Sequence, residues 1–127
     1  MHNEAPDEDI KNKYYAKLWN IWFENVPSNA QMAANQTTKA SFMDSGYFSY
    51  EINDSLSVLM INSLYMSFED DPSYQLNEAS LQLDWLEAQL EYGKNTGRQF
   101  IIAGHIYAGV RYHSNQMWMD SYTERYF

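Results

Sequence analysis

With 127 residues, 45% of them hydrophobic and 17% aromatic, the chain has the length and apolar content of one folded domain, which excludes an intrinsically disordered protein. A formal net charge of −9 argues against general nucleic-acid binding, because an acidic surface repels a phosphate backbone. The lack of cysteine excludes disulfides and thiolate metal sites, and no apolar run approaches the ~20 residues that a membrane-spanning helix requires.

Taken in chain order, Pro6 and the acids Asp7 to Asp9 suit a helix start. Ile10, Tyr14, Leu18 and Ile21 follow at near-helical spacing, with Tyr15, Trp19 and Trp22 widening the apolar face. Pro27 ends this helix, and Ser28 is expected to cap a short one through about Ala34. Gly46 to Ile52 and Leu56 to Ile61 are β-rich runs separated by Asn53-Asp54-Ser55, the pattern of an antiparallel hairpin. Residues 63 to 76 read as irregular, with Asp71-Pro72 a turn signal. A helix is expected from about Glu78 to Tyr92, with Ala79, Leu83, Leu86 and Leu90 on one face and Gly93 or Gly97 closing it.

Phe100 to Ala103 is a continuous apolar run, the pattern of a strand buried on both faces. A last helix is expected from near Ser114, carrying Trp118, Met119, Tyr122 and Tyr126 on one side. The order predicts an α/β fold, a mixed sheet with flanking helices, with residues 1–127 forming one domain or part of one. The helical aromatics read as core.

The segment with most chemical content is Gln99 to Gly109, QFIIAGHIYAG. His105 falls just past the carboxyl end of the predicted strand, where open α/β sheets place ligands. Gly104 and Gly109 would let the backbone turn beside the imidazole. Asn62 ends a predicted strand, where it either reaches a site or satisfies local backbone groups. Tyr107, in the loop itself, is a candidate for lining a lipid or base pocket or for packing. His113 matches no motif position and is expected at the surface. Asn35-Gln36-Thr37 and Asn53-Asp54-Ser55 fit the N-glycosylation acceptor pattern.

Several of these segments occur, in the same order, in one family. The block from Gln82 to Leu90 (QLDWLEAQL), followed by a short charged turn and Phe100 to Ile106 (FIIAGHI), resembles the helix, strand and GHIPPG loop of the calcineurin-like metallophosphoesterases, in particular their acid sphingomyelinase-like phosphodiesterase branch. Gly46 to Ser49 is similar to a GYYS strand of that branch, and Ile61 to Tyr65 to its SLNTxYY segment. His2 and Pro6 keep the spacing of the family's Gly-Asn-His-(Asp/Glu)-x-x-Pro motif, with Met1 where the motif has its metal-binding Asn. Tyr107-Ala108 replaces the Pro-Pro of closer relatives.

The resemblance implies a metal-dependent phosphodiesterase acting on a small-molecule or lipid phosphodiester. It implies two divalent ions, zinc in the first instance, with His105 as a ligand and His2 as the acid that protonates the leaving group. It also implies a secreted or lysosomal-type protein, although the acidic amino terminus is not a signal peptide. The upstream Asp-x-His and Gly-Asp-x-x-Asp motifs and the downstream Gly-His-x-His are missing from this sequence. The chain is therefore expected to be an incomplete section of a metallophosphoesterase-type sandwich, inactive and poorly stable without the remainder of its domain. Two other readings are open: a degenerate, non-catalytic relative acting as a binding module, and an unrelated aromatic-rich α/β ligand-binding domain.

Overall fold

The computed structural model describes residues 8–67, 72–111 and 115–127. A three-stranded mixed sheet lies between two helical layers, which is the expected α/β class. Helix α1 (Glu8–Trp19) widens at its end into a π-helical turn, Asn20–Glu24, closed by Asn25 N–H on Asn20 C=O at 2.9 Å. Val26 is extended ahead of Pro27, as the proline ring demands, so the helix stops where expected.

Ser28 is not the expected helix cap. It lies inside a 3₁₀ turn, Pro27–Asn29, that runs directly into the short α2 (Ala30–Ala33) without a side-chain cap. Helix α3 (Gln36–Ser45) was not expected, because its ten residues carry too few apolar positions to show a period. Its ends nevertheless have clear signals. The Asn35 side chain accepts from Thr38 N–H at 3.0 Å, and Gly46 closes the helix at φ +73°.

Strands β1 (Phe48–Asn53) and β2 (Leu56–Met60) form the predicted hairpin, with Phe48 opposite Met60 and Tyr50 opposite Val58. After β2 the chain makes a 3₁₀ turn, Ser63–Met66, in the stretch read as irregular. Helix α4 begins at Pro72, not Glu78, and runs to Thr96. Proline suits a first helical position because its missing N–H is not needed there. Gly97, at φ +75°, ends the helix, while Gly93 stays within it, where an added Cβ would collide with the Phe100 ring.

Strand β3 (Gln99–Ala103) pairs parallel with β2, so β2, α4 and β3 form a crossover unit. Two features differ from expectation. β3 is an edge strand, and Ile101 is 50% exposed, because α4 covers only one face there. Leu90, predicted on the core face of α4, is 42% exposed. Beyond β3, Val110–Arg111 (β4) and Asn115–Gln116 (β5) make a small antiparallel ladder that was not foreseen. The last helix, α5 (Asp120–Tyr126), begins six residues later than Ser114, so Trp118 and Met119 precede it.

Alternation along the strands separates two cores. Leu59 and Ile102 face α4 and α5 and join Leu83, Leu86, Trp118 and Tyr122. Phe48 and Met60 face the other way, toward Tyr15, Trp19, Phe23 and Phe42. Phe42 is the hub of the second core, with the rings of Tyr15, Trp19, Trp22, Phe23 and Phe48 all 5.4–6.1 Å away. Such ring pairs each add about 1 kcal/mol beyond area burial.

A polar network joins the layers. Asn62 Nδ2 donates to Tyr15 Oη at 2.9 Å and to Ser45 C=O at 3.0 Å, and Tyr15 Oη lies 3.1 Å from Tyr65 Oη. Ser45 Oγ donates to Glu78, whose carboxylate also faces the buried Lys11 at 3.7 Å. Gln82, with no exposed surface, accepts from Asn62 N–H at 2.6 Å and donates to Asn62 C=O at 3.1 Å.

Gly46 abuts this network: a Cβ there would lie 2.8 Å from Tyr15 Cε1 and 3.0 Å from Asn62 Nδ2. Gly46→Ala is expected to cost about 2 kcal/mol, since strain at positive φ adds to a clash. Gly97→Ala, at similar φ in open space, is expected to cost about 1 kcal/mol. Urea denaturation of the two variants measures the difference.

Burial pushes the Tyr15 phenol up to about 12, despite the opposing hydrogen bonds from Tyr65 and Asn62, and it raises Tyr65 as well. The folded chain thus holds these protons more tightly than the unfolded chain. Stability is expected to be full below about pH 10 and to fall as pH climbs toward about 12. The loss should reach ~1.4 kcal/mol per pH unit for each phenol. Urea midpoints across this range should show a shallower slope for Tyr15→Phe.

Candidate functional site

Because β2 and β3 run parallel, their carboxyl ends open on the same side of the sheet. Ile61 N–H reaches Ala103 C=O at 2.8 Å, which extends the ladder one step beyond β2. The chain then turns at Gly104, where a Cβ would lie 2.7 Å from Ile61 Cγ1, so the backbone approach to Ile61 requires a glycine.

The loop that follows is fixed at one residue. Ile106 N–H donates to Ser63 Oγ at 2.8 Å, and Ile106 C=O accepts from the Trp118 indole at 2.8 Å. With both its backbone groups satisfied, Ile106 is only 4% exposed and its side chain joins the main core. Trp118 is itself held by an antiparallel bridge to Ser67, and Met119 N–H bonds Met66 C=O at 3.0 Å. The residues on either side of Ile106 are exposed: His105, and Tyr107 at 52%. Gly109, at φ +98°, then turns the chain toward β4, and its C=O accepts from Met117 N–H at 2.9 Å.

Next to this loop is a cleft of about 280 Å³. Ile61, Ile102, Tyr107, Trp118, Tyr126 and Phe127 are among its lining residues; His105 is not. The wall combines apolar and aromatic side chains with exposed polar atoms, and Tyr107 is one of its lining residues. Sequence reasoning read Tyr126 as core and did not single out Ser63 or Phe127. Ser63 gave no signal, since a serine in a short turn has many uses.

Asn62, the other candidate for substrate contact, does not share this surface through its amide. Both amide hydrogens are donated within the protein, to Tyr15 and Ser45, and its Oδ1 accepts from Leu64 N–H at 3.4 Å. His2 and His113 lie outside the described residues. Of the two glycosylation candidates, Asn35 caps α3, and Asn53 ends β1 beside the hairpin turn, with its Oδ1 accepting from Ser55 N–H at 2.9 Å.

His105 suits one imidazole donor to a zinc-type ion, being exposed on a fixed loop. Among the described residues, however, no three His, Asp, Glu or Cys side chains come together as a metal-holding group. The described residues therefore do not fit a two-metal centre by themselves. Nor is any described helix long and apolar enough to cross a membrane.

No family model matches the chain. A protein of Dictyostelium discoideum named sphingomyelinase phosphodiesterase D is 24% identical over 112 residues. The alignment takes in 87% of this chain and 24% of that protein, so the chain spans about a quarter of the relative's length.

Removing the loop's anchor tests the geometry. Ser63→Ala leaves a buried N–H unpaired, so about 2 kcal/mol of stability should be lost. Amide exchange at Ile106 should accelerate roughly thirtyfold, while exchange in the middle of β2 changes less; hydrogen-exchange mass spectrometry or NMR reads both.

Proposed function

We propose that this chain is part of a phosphodiester hydrolase domain of the metallophosphoesterase type, similar to the acid sphingomyelinase-like branch. The observation that carries the reading is the placement of His105: exposed, immediately past the carboxyl end of β3, on a loop whose neighbouring residue is fixed at both backbone groups. Similarity to a protein named a sphingomyelinase phosphodiesterase, along nearly the whole chain, supports it.

On this reading His105 is one donor to a divalent-metal centre, zinc in the first instance, whose other donors come from outside the described residues. When bound, such ions polarise the phosphoryl group and supply the attacking hydroxide. The chain's own part is positional. Ser63 and Trp118 hold the backbone of the neighbouring Ile106, which limits the movement of the loop that carries His105. Tyr107 and the aromatic side chains of the cleft contact the organic part of the phosphodiester, and His2 is the proposed acid for the leaving oxygen. Asn35 and Asn53 are proposed glycan acceptors of an exported protein.

The test uses the complete gene product that contains these residues. It is expected to hydrolyse a chromogenic phosphodiester, to lose activity to a chelator and to regain it with zinc. His105→Ala should reduce kcat/KM by about a hundredfold or more, the usual scale for disturbing a metal's coordination. Hydrolysis that ignores both chelator and substitution would overturn the metal assignment, and a folded product without hydrolytic activity would favour a binding module.

A further inference from the structure

Away from the candidate site, α1 and its π-helical extension carry an exposed apolar shoulder. Tyr14, Ile21 and Trp22 are each close to half exposed, at 49%, 48% and 49%. With the half-buried Leu18 they recur at helical spacing, so they form one continuous apolar ridge beside the core-facing Tyr15, Trp19 and Phe23.

The ridge has a cationic flank. Lys17 is three residues after Tyr14 and four before Ile21, and Lys13 is one turn further back; both are exposed. Of the other cations whose side chains are described, Lys11, Lys39, Arg98 and Arg125 are paired with carboxylates, and the exposed Lys94 on α4 is not. Lys13 and Lys17 are in no such pair among the described residues. Glu24, the acid at the far end of the ridge, is bound by Lys39 at 2.7 Å, which removes a repulsive charge from that end.

We propose that this ridge is a docking surface for an anionic lipid bilayer. A tyrosine, an isoleucine and a tryptophan, flanked by lysines that can extend their ammonium groups to phosphate level, have the composition of an interfacial helix. A bilayer accepts a convex ridge without a matching groove. Contact with a second copy of this chain is disfavoured, because a two-fold contact centred near Leu18 would bring the Lys17 of both copies together. The chain's overall charge of −9 repels an anionic surface elsewhere, so docking through Lys13 and Lys17 would also orient the molecule. The inference does not rest on the hydrolytic reading: a catalytically silent chain would dock equally well.

The complete gene product that contains these residues is incubated at low salt with vesicles of equal parts phosphatidylcholine and phosphatidylserine, and with phosphatidylcholine alone. Co-sedimentation is expected with the mixed vesicles and a much weaker response with the neutral ones. Tryptophan emission should shift to the blue as Trp22 leaves water. Lys13→Glu with Lys17→Glu should weaken partitioning by more than about tenfold, since each lysine near such a surface contributes about fivefold. Tyr14→Ser with Ile21→Ser should weaken it comparably, while Tyr92→Ser, on exposed α4 surface, should not. Circular dichroism confirms that each variant is folded. Absence of binding to the mixed vesicles, or equal binding by the lysine variant, would overturn the proposal. A concentration-dependent dimer lost in Ile21→Ser would overturn it in favour of self-association.

Discussion

The structure depends on a side chain behaving as backbone. Gln82 presents its amide oxygen and nitrogen to the N–H and C=O of Asn62, the exchange that a neighbouring strand would make. β2 has just ended there and the chain is turning into the 3₁₀ helix, so no strand can satisfy those groups. An unpaired buried amide costs on the order of 1–3 kcal/mol. The clamp avoids that cost and fixes α4 against the end of β2. Once α4 is placed, the parallel pairing of β3 with β2 and the position of the loop after it follow from chain connectivity.

The same residue ties the two cores together. Asn62 receives Gln82 through its backbone and reaches Tyr15 and Ser45 through its side chain, so one residue touches α4, α1 and the end of α3. The two aromatic and aliphatic cores lie on opposite faces of a thin sheet, and apolar packing is tolerant of sliding. Directed hydrogen bonds between the layers are not, and they set the register of helices on sheet. The tight fit of Gly46 against Tyr15 and Asn62 shows how little room the network leaves.

What the sequence revealed depended on whether a segment's role left a pattern in it. The helix through Leu83 and Leu86 was legible by its period, the hairpin by two β-rich runs around a turn signal and the strand before His105 by its apolar run, and their order gave the mixed α/β class. α3 was not legible, since its burial falls on Thr38, Phe42 and Ser45 and two of those are polar. The exposure of Ile101 was hidden for the opposite reason: an apolar run looks the same whether its strand is central or at an edge. At the candidate site, His105 stood out by its glycines, but the groups that hold its loop are a serine 43 positions away and a tryptophan beyond a short ladder. Such contacts are set by the crossover and have no local signature. Asn62 was ambiguous from sequence, and its geometry shows both amide hydrogens committed to the fold.

The double tether on Ile106 has an evolutionary consequence. Stability in this stretch is vested in the inward residue and its two anchors, while positions 105 and 107 project outward and contribute little to it. Substitutions at the outward positions can therefore accumulate without unfolding the domain. New selectivity can be explored at those two positions on an unchanged frame.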